Sequence, residues 1–138
     1  MDIRQNDTKE GLITILATDN LTDKEGFLVK IENATPVPGQ AALPDDNADF
    51  CLFVVSAGGA AGSYVDLQPL NPNRNVRVKT SGIIAAGEEV LLQAPGGTVI
   101  TRTGAAADTY FSPGIAEEDC ASGGFVKIRP FPHTVVVP

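Results

Sequence analysis

Short apolar runs alternate with clusters of Gly, Pro, Asn and Asp along the chain, and no window of a dozen residues keeps a helical apolar period. The first run, Gly11 to Ala17, is stopped by Asp19-Asn20. The second, Phe27 to Glu32, puts Phe27, Val29 and Ile31 on one face and Lys30 and Glu32 on the other, the pattern of a half-buried strand. From Asn33 to Asn47 three prolines and a glycine predict a long surface loop. Phe50 to Val55 is apolar on both faces and is expected to be the most buried strand.

The small-residue stretch Ser56 to Ser63 reads as a flexible hairpin loop. It lacks the Lys-Ser/Thr ending of a phosphate-binding loop, and no helical pattern follows it. Beyond residue 74 the punctuation becomes regular. Val76 and Val78 alternate with Arg77 and Lys79, Gly82 to Gly87 turns the chain, and Val90-Leu91-Leu92 forms a hairpin with Thr98 to Thr101 across Ala94 to Gly97. Gly104 to Asp108 is an Ala-rich loop, Tyr110 to Ala116 a short strand, and Gly124 to Arg129 an alternating one. The Val-Lys-Ile echo at 29–31 and 126–128 is too short to define a repeat.

The fold class that follows is all-β: a single-domain sandwich or barrel of about eight to ten short antiparallel strands over residues 11–130. A polar N-terminal arm, 1–10, precedes it. Residues 131–138 form a tail or edge strand, because Pro130 and Pro132 are excluded from a sheet interior. With 138 residues and 43% hydrophobic content the chain can build a core without staples.

The net charge of −7 argues against a protein whose task is to neutralise nucleic-acid phosphates. The excess is uneven: residues 1–50 hold ten acids and four bases, residues 51–138 seven acids and six bases. Cys51 and Cys120 share no metal or redox spacing; free thiols are the expectation, and a bridge would require an oxidising compartment. The opening MDIRQNDTKE has no apolar signal region, so synthesis in a cytoplasm is expected.

Catalytic chemistry is thinly supplied. The single imidazole, His133, follows Pro132 and is expected to face solvent, and Glu88-Glu89, Glu117-Glu118-Asp119 and Asp45-Asp46 read as solvated loop or opposite-face neighbours. Asp45, Asp46, Asn47 and Asp49 gather oxygen ligands but lack the spacing of a calcium loop. Tyr64, Tyr110 and Phe111 are the candidates for an aromatic platform for sugar or nucleic acid. The expectation is no enzyme, no catalytic or metal residues and no cofactor.

The residues that do suggest contact are basic. Arg77 and Lys79 on one strand and Lys127 and Arg129 on another form a positive patch if those strands are neighbours, and otherwise serve as outward charges that keep edges from pairing.

The runs Gly82 to Val90, Gly97-Thr98-Val99, Ser112 to Glu118 and Gly123 to Ile128 resemble the cadence of the small β-rich decoration (cement or head-stabilising) proteins of tailed bacteriophages. The resemblance covers about residues 76–130; the acidic first third and the Pro-rich loop depart from it. It implies a non-enzymatic virion protein on the capsid surface, made in the host cytoplasm, that docks on an assembled lattice of the major capsid protein and ties coat subunits together. It further implies self-association as a homotrimer, and no direct contact with nucleic acid or membrane. Such a clamp works through edges and loose ends multiplied by lattice symmetry. The expected contact residues are Ile3 and Arg4 in the arm, Arg77, Lys79, Lys127 and Arg129 on the strands, and Phe131 and Val135 in the tail. The alternative is a small β-sandwich module of a fibre or adhesin that binds carbohydrate or protein through a face lined by Tyr64 and Tyr110.

Overall fold

Ten strands form, most of them where the apolar alternation predicts strands and one, at 38–42, where it predicts a loop. In the computed structural model, which describes residues 11–35 and 38–138, they are β1 (Ile13–Leu16), β2 (Leu28–Asn33), β3 (Pro38–Ala42), β4 (Phe53–Ala57) and β5 (Tyr64–Pro69), then β6 (Val76–Lys79), β7 (Glu89–Gln93), β8 (Thr98–Thr101), β9 (Asp108–Ala116) and β10 (Phe125–Val137). Every ladder between them is antiparallel, and the strands divide into two five-stranded sheets packed as a sandwich-like, all-β fold.

The two sheets have the same strand order. The first runs β1-β5-β4-β2-β3 and the second β6-β10-β9-β7-β8, so each half, numbered from its own first strand, reads 1-5-4-2-3. Each sheet curls until its edges meet. Ala17 bridges Ala41 in parallel, with the Thr18 N–H donating to the Ala41 carbonyl at 2.8 Å; Thr80 bridges Val99, with the Ser81 N–H donating to the Val99 carbonyl at 3.0 Å. Curling removes the long exposed edges that would otherwise recruit further strands. The Val-Lys-Ile echo is unrelated to this duplication, since it falls on the second strand of one half and the last strand of the other.

The first half holds a core of Leu21, Val29, Val55, Val65 and Leu67. The second half is built around Val78, Leu92, Phe111, Val126 and Ile128, and Leu28, Cys51 and Val54 of the first half belong to this same cluster. Successive strand residues face opposite ways, so Val29 and Val55 fill their own half while Leu28 and Val54 fill the other. Backbone bonds reinforce the junction: the Leu28 N–H donates to Gly97 O (2.8 Å), Lys79 N–H to Gly26 O (2.8 Å) and Phe111 N–H to Asn47 O (2.7 Å). Gly97 is required there. Its φ is +80°, and a Cβ would stand 2.6 Å from the Leu28 carbonyl oxygen.

Three sequence expectations need correction. The Pro-rich segment is not all loop: β3 pairs with β2 from Pro38 to Ala42, with Gln40, Ala41 and Ala42 buried. Pro38 is tolerated because it opens an edge strand, and Pro36 and Val37 lie outside the described residues. Phe50 to Val55 is not uniformly buried; Phe50 is 60% exposed and Leu52 faces outward, while Cys51, Val54 and Val55 are inside. The loop between β4 and β5 is anchored rather than flexible, since the Leu21 N–H donates to Gly59 O and the Ala17 N–H to Ser63 O. The C-terminal stretch, expected to be a tail or edge strand, continues β10 through Pro130 and Pro132 as an edge: its register with β9 shifts between Pro130 and His133, and pairing with β6 stops at Ile128, so the prolines lie where only β9 flanks the strand.

Candidate interaction surface

The β6–β10 ladder brings the four basic residues together. Arg77 stands opposite Lys127, Lys79 opposite Phe125, and Arg129 is the next outward residue on β10. The turn after β9 then supplies counter-charges. Arg77 Nη1 lies 2.5 Å from Glu118 Oε1, and Arg129 Nη2 lies 3.2 Å from Glu117 Oε2. Arg77 beside Glu118 holds that carboxyl below the usual range. Lys79 donates to the Gly123 carbonyl at 2.5 Å and lies over the Phe125 ring, 4.8 Å from its centroid. Lys79 and Lys127 make no ion pair among the described residues. The strip is therefore half neutralised, and its excess charge is the two lysines.

Of the tail residues, Phe131 stands 61% exposed, but Val135 faces inward rather than outward as a contact residue would. It is 6% exposed and packs with Leu91 and Tyr110 in a separate cluster outside the main core; the exposed neighbour is Val136. The placement follows from the register shift, which decides which tail residues point at the sheet. Ile3 and Arg4 lie outside the described residues.

His133 is not a solvent-facing side chain. Its Nε2 lies 2.5 Å from Glu89 Oε2 and its Nδ1 2.6 Å from the Phe131 carbonyl oxygen. Both nitrogens are thus engaged, and Ser112, the residue opposite on β9, directs its hydroxyl to the Gly114 carbonyl, so no Ser–His relay exists. The carboxylates that could have formed pairs serve as local caps and ion-pair partners. Glu88 accepts from the Ala85 N–H and Asp119 from the Ala86 N–H, both at 2.8 Å. In the acidic loop the Lys30 ammonium occupies the space between carboxylates, 2.7 Å from Asp45 Oδ2 and 3.0 Å from Asp49 Oδ2. Asp46 caps the Ala48 N–H, and Asn47 accepts from the Ala94 N–H while donating to Asp108. No group of metal-ligating side chains gathers among the described residues.

Both cysteines are free thiols. Cys51 is buried at the junction of the halves, and burial pushes its thiol up to about 12; Cys120 is half-buried. The aromatic platform does not assemble either. Tyr64 is 69% exposed on the first half, whereas Tyr110 is buried in the second with its hydroxyl donating to the Ala106 carbonyl.

Sequence reasoning missed the most exposed large apolar side chain among the described residues, Ile83 at 77%. It rims an open cleft of about 480 Å³ lined by Ile84, Ala85, Asp119, Cys120 and Ala121. The signal was the doublet Ile83-Ile84 inside a glycine-bounded turn. Ile84 is pinned by reciprocal backbone bonds with Cys120 (2.9 Å each) and faces the core, which leaves Ile83 to face out.

The chain is thus all-β, with two curled five-stranded halves of identical strand order. No protein-family model matches the chain, and no curated protein matches it. Among solved structures it is similar to the N base of the head fibre protein gp8.5 of bacteriophage phi29, with a TM-score of 0.68 and 16% identity. The match covers 88% of this chain and 94% of that one. At that identity the likeness is one of fold.

Proposed function

We propose that this chain is a non-enzymatic structural protein of a phage virion. It binds the outer surface of the assembled capsid and stabilises contacts between major coat subunits. The observation that carries this reading is the likeness to the phi29 head fibre base across 88% of this chain and 94% of that one. The architecture supports it: two fused halves with closed edges make a stiff body, and contact is left to exposed side chains on its surface.

The contact set on the described residues is Arg77, Lys79, Lys127 and Arg129 with Phe131, and the arm residues Ile3 and Arg4 complete it. The partner is the major coat protein, and the unit is a self-associated trimer. Because the similar structure is the base of a fibre, a component of a fibre that binds carbohydrate or protein is the second reading. The separation of Tyr64 from Tyr110 argues against its sugar-binding form.

Quantitative mass spectrometry of purified source particles tests the proposal. Abundance near a fixed fraction of the coat protein is expected. A few copies per particle would favour the fibre reading, and absence from particles would overturn both.

A further inference from the structure

His133 follows the irregular stretch of β10 at which register with β9 shifts. Its two ring nitrogens face two oxygens, the Phe131 carbonyl at 2.6 Å and the Glu89 carboxylate at 2.5 Å. Both oxygens are acceptors, so each nitrogen must bring its own proton, and a ring with two N–H groups is an imidazolium. A neutral ring carries one N–H. Its other nitrogen would point a lone pair at an oxygen at contact distance, and one of the two contacts would have to open.

The partners of this ring tie distant pieces together. Glu89 comes from β7, on the far side of β9 from β10. Its other oxygen, Oε1, faces Arg102 at 3.9 Å, and Arg102 Nη2 donates to the Val136 carbonyl at 3.3 Å. The series His133–Glu89–Arg102 thus leaves β10 and returns to it three residues later. Phe131, exposed, leans on the imidazole with ring centroids 5.1 Å apart. Beyond Ile128 no pairing with β6 helps hold this part of the strand.

Few other charges reach the site. On β9, Ser112 stands opposite His133 without charge, and Asp108 is engaged with Asn47 and the Thr109 N–H. On β10 itself, Arg129 is paired with Glu117. The ring therefore answers to Glu89 and Arg102.

We propose that His133 is a protonation-controlled latch on the C-terminal half of β10: the charged ring clamps the Phe131 bulge to Glu89, and loss of its proton releases one of these contacts, loosening residues 131–137 and turning the exposed Phe131 ring. Partial burial works against the charged ring, but the Phe131 carbonyl and the Glu89 carboxylate outweigh it and raise its basicity above the ordinary histidine value of 6.5. The sign follows from a raised value in the folded state. The latch is fully closed below 6.5 and opens as pH rises through the higher folded value.

The chain has a single histidine, so an imidazole NMR titration of the intact protein has only one ring to follow. The ring is expected to titrate above 6.5 in the wild type and to drop by at least half a unit, or about threefold in proton affinity, in Glu89→Gln. Hydrogen exchange, corrected for intrinsic rates, reads the latch itself. Protection of the backbone amides in 133–137, relative to those in 125–128, is expected to fall about threefold or more across the titration in the wild type. It is expected to be flat in His133→Gln, which keeps polar contacts but does not titrate. Titration at or below 6.5, a wild-type ratio that does not change, or a change that persists in His133→Gln would overturn the proposal. The wild type and His133→Gln decide the matter should Glu89→Gln fail to fold.

Discussion

The two halves of this protein share a strand order but little else. The first half carries the acidic excess and closes with a short edge strand drawn from a proline-rich segment; the second has nearly balanced charge and ends in a thirteen-residue strand that overruns its neighbour. Both join their edges through a single parallel bridge. What the halves share is thus strand order and edge closure, while charge and strand length vary. Local residue identity does not fix this topology; the sequence of apolar faces and the turns between them does.

The halves also differ in what they lend each other. The first sends Leu28, Cys51 and Val54 into the second half's core, and the cluster inside the first half contains residues of that half alone. The asymmetry predicts that the halves unfold together and that the second depends on the first. Leu28→Ala is expected to cost about 2–5 kcal/mol, as for other large-to-small core changes. Urea unfolding can read this on both sides, because Tyr64 lies in the first half and Tyr110 in the second. A common midpoint for the two tyrosines that moves as one in the variant is expected. Separate midpoints would mean two independent domains.

Gly97→Ala attacks the same junction from the other side. It forces a side chain onto a positive φ and into the Leu28 carbonyl, and a loss of about 1–3 kcal/mol is expected in the same experiment. A smaller effect belongs to the first half alone. Burial pushes the Asp49 carboxyl up, but the Lys30 ammonium and the Asp45 and Asp46 N–H groups together bring it below its usual 3.8. Its contribution is therefore present above 3.8 and lost as pH falls through the lower folded value. In Lys30→Gln the acid limb of the melting temperature should be shallower than in the wild type, with the neutral-pH curve nearly parallel. An unchanged acid limb would remove Lys30 and Asp49 from the account.

Legibility in the sequence followed the range of the interactions involved. In the second half Val76 to Lys79, Thr98 to Thr101 and the strand beginning near Gly124 were readable, because glycine turns and two-residue alternation are local signals. β3 was hidden because proline statistics speak for the ladder interior, whereas Pro38 opens an edge. The duplicated strand order was invisible because pairings such as β1 with β5 join residues some fifty positions apart. For the candidate contact residues, the adjacency of Arg77 and Lys127 was posed correctly as a condition, but the counter-charges of Glu117 and Glu118 depend on how one turn folds back. Val135 was misplaced by a register shift, and the partners of His133 come from a strand 44 residues away and from a carbonyl turned by the bulge.

The most direct measurement is co-sedimentation of the purified chain with source capsids that have been stripped of it or assembled without it. The account predicts saturable binding at a fixed ratio to coat protein, weakened when Lys79 and Lys127 are both changed to Glu with the fold intact by circular dichroism. Chain that stays at the top of the gradient at every concentration, with capsids intact, would contradict it.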